Sequence, residues 1–190
     1  MREIIEKLFQ KTPPKKMKQT TCLFVSIQQQ RLYVLNRHRV LADFIVSTAK
    51  NGAGEQKNSE KTPRGKHYIR ALIGNNTPQG AVFVQRRWTG EIFSPTLWAQ
   101  NPKRDWILSR ILWLCGEEIG KNRLGNVDTF SRYIYIHGAP DHLPFGIALS
   151  HGCIRMKNAD ILKLFHNYAY FKMPVFMSEQ SLKEHLLTQQ

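Results

Sequence analysis

The segment from Ile136 to Met156, IHGAPDHLPFGIALSHGCIRM, concentrates side chains that can do chemistry. A cysteine nucleophile needs a neighbour that takes its proton, and imidazole, with a pKa of about 6.5, suits that task. Cys153 sits between Gly152 and Ile154, and His137 lies a full loop earlier at the end of an apolar run. The separation cannot be bridged locally. Thiol and imidazole therefore meet only if the loop folds two strand ends together. Gly152 lets a substrate carbonyl approach the backbone, where amide N–H groups form an oxyanion site. The rival arrangement is a zinc site from His137, His142, His151 and Cys153, although no pair of them has zinc-finger spacing and no HExxH occurs. Cys22 and Cys115 read as small core hydrophobes. His38, His67, His166 and His185 read as surface or packing residues.

The elements that must position these groups follow from periodicity. Residues 1–11 carry Ile4, Ile5, Leu8 and Phe9 at helical spacing, and Thr12-Pro13-Pro14 ends that helix. From Thr20 the period becomes two. Strands are predicted at Cys22–Ile27, Arg31–Leu35, Val40–Ser47, Lys66–Leu72, Gly80–Val84, Arg132–Ile136 and Pro174–Met177. Asn51 to Arg64 is polar and reads as a surface loop. Leu108, Leu112, Cys115 and Ile119 share one face of a 3.6-residue repeat, which predicts a helix over Asp105–Glu118. Further helices are predicted at Ala159–Tyr170 and Ser178–Leu187. Many short strands and few helices indicate a mainly β fold.

On these residues the chain resembles the YkuD family, the L,D-transpeptidase catalytic domain. Ile136-His137-Gly138 followed by Ser150-His151-Gly152-Cys153-Ile154-Arg155-Met156 looks like the family signature. Gln30-Arg31-Leu32-Tyr33-Val34, Ser47-Thr48-Ala49 and Lys61-Thr62-Pro63-Arg64-Gly65 extend the likeness over residues 20–177, leaving 1–19 as an N-terminal extension and 178–190 as a C-terminal helix and tail. The resemblance implies a β-sandwich with a few peripheral α-helices and a cysteine at the floor of a cleft. It implies action on peptidoglycan stem peptides at the bond between meso-diaminopimelate and D-alanine. Carried over, Cys153 is the nucleophile and His137 the base, with the Gly138 carbonyl orienting the imidazole. His151, Gly152 and Cys153 supply the oxyanion region, Arg155 shapes the site or meets a substrate carboxylate, and Ser150 is a further substrate-binding residue. No cofactor and no metal are implied, and carbapenem-type β-lactams are expected inhibitors. Two features depart from the family pattern. The His137-to-Ser150 interval is short, and Gly138 replaces a hydroxyl residue present in some members.

Composition narrows the remaining choices. In 190 residues, 42% are hydrophobic and 22% charged, a globular balance. The densest apolar run, Ile111 to Cys115, is far below the roughly 20 residues of a spanning helix. Three scattered cysteines and no CxxC suit a reducing compartment. The segment after Met1 is charged at Arg2, Glu3, Glu6 and Lys7 and lacks the pattern of an export signal, so the expected location is the cytoplasm. Lys and Arg number 28 against 14 Asp and Glu, a net charge of +14. Such a charge draws anionic partners, and stem peptides carry several carboxylates. The expectation is an L,D-carboxypeptidase that trims soluble muropeptides from tetra- to tripeptides. Cross-linking by L,D-transpeptidation is the alternative. A basic nucleic-acid module using Lys15, Lys16, Lys18, Trp88, Phe93 and Trp98 is a third reading, and no recognition motif accompanies it.

Overall fold

Short β-branched and aromatic runs separated by polar turns build three consecutive strands, β1 (Thr21–Ser26), β2 (Arg31–Asn36) and β3 (Arg39–Ser47), into an antiparallel meander. The computed structural model describes residues 21–37 and 39–188. The helix expected at residues 1–11, and the whole extension 1–19, lie outside the described residues. β4 (Gly65–Ile73), β5 (Ala81–Val84), β6 (Arg87–Ile92) and the short helix α1 (Pro95–Gln100) follow. Then come β7 (Ile107–Gly116), β8 (Tyr135–Ala139), β9 (Ile154–Lys157), α2 (Asn158–Asn167), β10 (Pro174–Ser178) and α3 (Leu182–Leu187).

The strands run β4-β10-β1-β2-β3-β9-β8-β7, and β7 pairs back onto β4, so the sheet closes on itself. Closure removes both free edges of these eight strands. β5 and β6 form a hairpin hung on the start of β7, where Val82 and Phe83 pair with Leu108 and Ile107. The result is the mainly β architecture with few helices that the sequence predicts.

Side chains alternate across each strand. Leu23, Val25, Leu32, Val34, Phe44, Val46, Leu112, Leu114, Ile136, Ile154 and Met156 fill the interior. α2 adds Ile161, Leu164 and Phe165 to that core. Its first turn is capped from outside, since the Asp141 carboxylate accepts from the Asn158 N–H at 2.8 Å. On the outer face of β1, Phe24 packs with Tyr33 and Leu35, and α3 covers it with Leu182 and with His185 stacked on the Phe24 ring.

One expected element is corrected. Residues 107–116 form β7, a strand, and not part of a helix over 105–118. Nearly every residue of β7 is buried, because one face meets the core through Leu112 and Leu114 while the other buries Ile111 beside Trp113. An apolar run buried on both faces contains helix-spaced residues by default, so Leu108, Leu112 and Cys115 cannot discriminate. A bulge adds to the ambiguity. Ser109 sits at φ 65° and the β7–β8 register shifts between Leu108 and Ile111. The strand expected at Arg132 also starts later, at Tyr135, since Tyr133 is in a turn with φ 58°. β6, α1 and β9 were not predicted.

His67 on β4 is fully buried. Its Nδ1 donates to the Gly65 carbonyl at 3.0 Å, so Nε2 accepts from the Thr129 hydroxyl at 3.0 Å. Burial pushes its pKa down to about 4, against a smaller upward pull from Gly65 and Glu118. The unfolded chain takes a proton below pH of about 6.5, and the folded chain resists it until about 4. Stability therefore falls as pH drops through that window, by on the order of 3 kcal/mol from this residue. Thermal unfolding followed from pH 7 to 4.5 should show this loss, and His67→Gln should flatten the slope. An unchanged slope in that variant would remove His67 as its source.

Candidate active site

Two neighbouring strands carry the chemistry-bearing residues. On β8, Ile136 points into the core, so Tyr135 and His137 face the other side. On β9, Ile154 and Met156 point inward, which turns Arg155 outward with Cys153 just ahead of it. β8 and β9 are parallel and in register, Ile136 opposite Ile154 and His137 opposite Arg155. The loop of residues 140–153 returns the chain to that register. His137, Cys153 and Arg155 thus line one cleft of about 220 Å³, together with Asp105, Ile107, Arg132, Tyr133, Tyr135, Ser150 and His151.

Burial dominates the electrostatics. The Cys153 thiol is pushed up to about 12 by burial, and Asp105 pushes the same way. The Tyr135 N–H, pointing at Sγ from 3.4 Å, and the Arg155 and Arg132 guanidiniums lower it, but by less. Sγ in turn donates to the Tyr133 carbonyl at 3.4 Å. The resting group is therefore a thiol. His137 is held below its usual range, first by burial, with Arg155 adding to the effect and Asp105 and the Gly138 carbonyl opposing it. Its Nδ1 lies 2.8 Å from the Gly138 carbonyl. A carbonyl only accepts, so Nδ1 carries the proton and Nε2 is the basic nitrogen. A neutral imidazole and a neutral thiol share the cleft.

The Ser150–Cys153 turn is set by buried hydrogen bonds. The Ser150 hydroxyl donates to the Cys153 carbonyl at 2.6 Å and accepts from the Gly152 N–H at 3.2 Å. Gly152 has φ 128°, and a Cβ there would meet Ile134 Cδ1 at 3.1 Å, so glycine is required. The fully buried Thr62 donates to the Gly152 carbonyl at 3.0 Å and accepts from the Ala49 N–H at 3.0 Å. Thr48 O receives the Ser150 N–H, and the Ser47 hydroxyl receives both the Leu149 N–H and Arg155 Nη2. Arg132 spans the other wall, donating to the carbonyls of Gly54, Glu55 and Lys61.

Of the expected site residues, His137, Ser150, His151, Cys153 and Arg155 line the cleft, while Gly138 and Gly152 adjoin it in the chain. His142 packs among Phe93 and Trp98, away from the cleft, so the four-residue zinc set does not assemble. Among the described residues no three His, Cys, Asp or Glu side chains group to hold a metal. The hydroxyl of Ser150 and the amide of Gly152 are engaged with each other inside the turn. For the nucleic-acid reading, Phe93 and Trp98 pack on Trp106, Trp88 is exposed, and Lys15, Lys16 and Lys18 lie outside the described residues. Asp105, Arg132, Tyr133 and Tyr135 were not singled out from sequence. Asp105 and Arg132 carry no local signal above a background of many charges.

Comparison with known proteins places the chain in a family. The model of the YkuD family, the L,D-transpeptidase catalytic domain, matches residues 20–177. The chain belongs to that family. No curated protein sequence matches it. Among solved structures, Bdellovibrio bacteriovorus Bd1075 is similar with a TM-score of 0.54 and 15% identity, covering 94% of this chain and 56% of that one. L,D-transpeptidase 3 from Mycobacterium tuberculosis is similar with a TM-score of 0.50 and 15% identity, covering 84% and 61%. The Ldtfm-avibactam carbamoyl enzyme has a TM-score of 0.51 and 14% identity, covering 85% and 50%. At such identities the likeness is one of fold. This YkuD chain spans 50–61% of the length of those three structures.

Where some family members have a hydroxyl residue, Gly138 has no room for one. A Cβ would lie 2.5 Å from the Leu108 carbonyl oxygen, 2.8 Å from Asn158 Oδ1 and 2.9 Å from Ile161 Cγ2. Gly138→Ser should cost about 1–3 kcal/mol in denaturant unfolding. Wild-type stability in that variant would show that the α2 contact yields freely. The raised thiol gives a second expectation. Alkylation of Cys153 by iodoacetamide, followed by peptide mapping, should be slow at pH 7 and still rising beyond pH 9. A plateau below pH 8 would contradict a half-buried thiol that is neutral at rest.

Proposed function

We propose that this YkuD chain is a cysteine acyl-transfer enzyme and that it hydrolyses the terminal D-alanine from diaminopimelate-containing stem peptides. The carrying observation is the shared cleft of Cys153 and His137, with Nδ1 of the imidazole tied to Gly138 O and Nε2 left basic. As Sγ attacks the scissile carbonyl, Nε2 takes the thiol proton and later delivers it to the departing amine of D-alanine. A thioester on Cys153 remains. Water then attacks the thioester, again losing a proton to Nε2, and the thiol is restored as tripeptide leaves.

Proton transfer coupled to attack suits a site whose thiol and imidazole are both neutral at rest. The oxyanion is assigned to the amides at His151 and Cys153, since the Gly152 amide bonds Ser150. Arg155 suits a substrate carboxylate, Arg132 being committed to backbone carbonyls, and the net charge of +14 favours capture of small polyanionic peptides. This is the support for soluble muropeptides, processed in the cytoplasm, over polymeric wall.

Mass spectrometry of purified protein incubated with a tetrapeptide muropeptide tests the reading. Tripeptide plus free D-alanine is expected, and a cross-linked dimer would replace hydrolysis by transpeptidation. Cys153→Ala and His137→Ala should each lower turnover by at least about 1000-fold, without additive losses, because the two act as one unit. Cys22→Ala and Cys115→Ala should stay near wild type. A carbapenem should add its mass to wild type and not to Cys153→Ala. Full turnover by Cys153→Ala would end the proposal.

A further inference from the structure

The β5–β6 hairpin lies outside the closed barrel, and its tip is the two-residue turn Gln85–Arg86. Both residues have positive φ, 46° and 69°, although neither is glycine. Positive φ at both central residues is the geometry that a tight two-residue hairpin turn requires, usually met by glycine or asparagine. What this turn presents is one guanidinium. Arg86 Cζ lies 4.5 Å from the centre of the Trp113 ring and 4.7 Å from that of Tyr133, and Nη1 donates to the Tyr135 hydroxyl at 2.9 Å. No carboxylate pairs with Arg86 among the described residues. The ring of Trp113 is itself fixed, stacked on Phe130 at 3.9 Å, with its Nε1 donating to the Phe130 carbonyl.

The two tyrosines that Arg86 grips are the two residues whose backbones hold the thiol. Tyr135 gives its N–H to Cys153 Sγ, and Tyr133 takes the S–H on its carbonyl. Both also line the cleft. Apart from Arg86, Tyr133 is held only from one side, its N–H donating to the Phe130 carbonyl at 3.1 Å and its ring 6.1 Å from that of Trp113, while half of the residue is exposed. We propose that Arg86 is a positioning residue, a clamp reaching in from the hairpin tip that fixes Tyr133 and Tyr135 and through them the orientation of the Cys153 thiol.

The chemistry of the contact requires arginine. A planar guanidinium can lie over aromatic rings and still direct an N–H at a hydroxyl, whereas an ammonium is a point charge without that face. Lysine at this position keeps the charge and loses the fork. The clamp rests on the proposed role of Cys153 for its effect on turnover. Its effect on the thiol does not depend on any substrate.

The test therefore has two arms. In the first, iodoacetamide labelling of Cys153 is followed by peptide mapping across pH in wild type, Arg86→Ala, Arg86→Lys and Tyr135→Phe. Releasing the clamp admits water to the thiol, so labelling at neutral pH should become several-fold faster in Arg86→Ala, with Arg86→Lys close to it and Tyr135→Phe between. Adding Tyr135→Phe to Arg86→Ala should change little more, since the second bond is already gone. In the second arm, kcat on the tetrapeptide should fall about 10- to 100-fold in Arg86→Ala while KM stays within a few-fold, because a misdirected nucleophile slows the chemical step. Faster labelling with slower turnover is the signature of lost positioning.

Labelling at the wild-type rate in Arg86→Ala would overturn the clamp. Full rescue by Arg86→Lys would overturn it too, leaving only a charge effect. A raised KM with unchanged kcat would make Arg86 a substrate-binding residue instead. Were wild type to show no peptide turnover yet the labelling pattern held, the proposed reaction would fail and the clamp would stand. Tyr135→Phe, which removes one oxygen, keeps the outcome readable if Arg86→Ala unfolds the hairpin.

Discussion

The parallel pairing of β8 with β9 is the constraint on which the site depends. Once Ile136 and Ile154 face each other inside the barrel, the alternation of strand side chains sends His137, Arg155 and Tyr135 to the opposite face. A slip of one residue in either strand would bury the imidazole or the guanidinium and expose an isoleucine. Core packing thus enforces the register, and the register delivers the cleft. β7 and β3 flank the pair and close it into the barrel, so neither strand can slide without breaking ladders on both sides.

Within that frame, burial sets the protonation states. Desolvation outweighs the nearby cations at Cys153 and the Asp105 carboxylate at His137. The consequence is a reserved nucleophile. A thiol that stays protonated at neutral pH resists oxidation and stray alkylation, and it becomes a nucleophile only when a base removes its proton during attack. The tautomer lock at Gly138 serves the same end, since it points the basic nitrogen away from the backbone.

The polar groups behind the site form a continuous support. Thr62, Ser150 and Ser47 are buried hydroxyls that each satisfy backbone groups of the Cys153 turn or of its neighbours. Their segments come from distant parts of the chain. Gln30 joins them by reaching Thr48 through both its amide oxygen and its amide nitrogen. In a dry setting each such bond is expensive to leave unmade, so the turn has one arrangement rather than several.

Much of this was written locally. The period-two runs at residues 21–47 and 65–73, the turn at Thr62-Pro63 and the His-Gly and Ser-His-Gly-Cys segments all act through neighbouring residues, and they were legible as strands, loops and a candidate nucleophile with its base. The helix read into residues 105–118 shows where local pattern fails. β7 is apolar on both faces because strands pack on either side of it, and that environment belongs to the fold rather than to the segment. Asp105, Arg132 and Arg86 are likewise ordinary charged residues until the chain folds, and the closed sheet with its appended hairpin is what carries the first two to the cleft and Arg86 to the tyrosines that line it. Sequence alone determined which side chains could react. Tertiary structure decided their distance, burial and protonation, because pairing between strands far apart in the chain is settled by shared burial and not by any local preference.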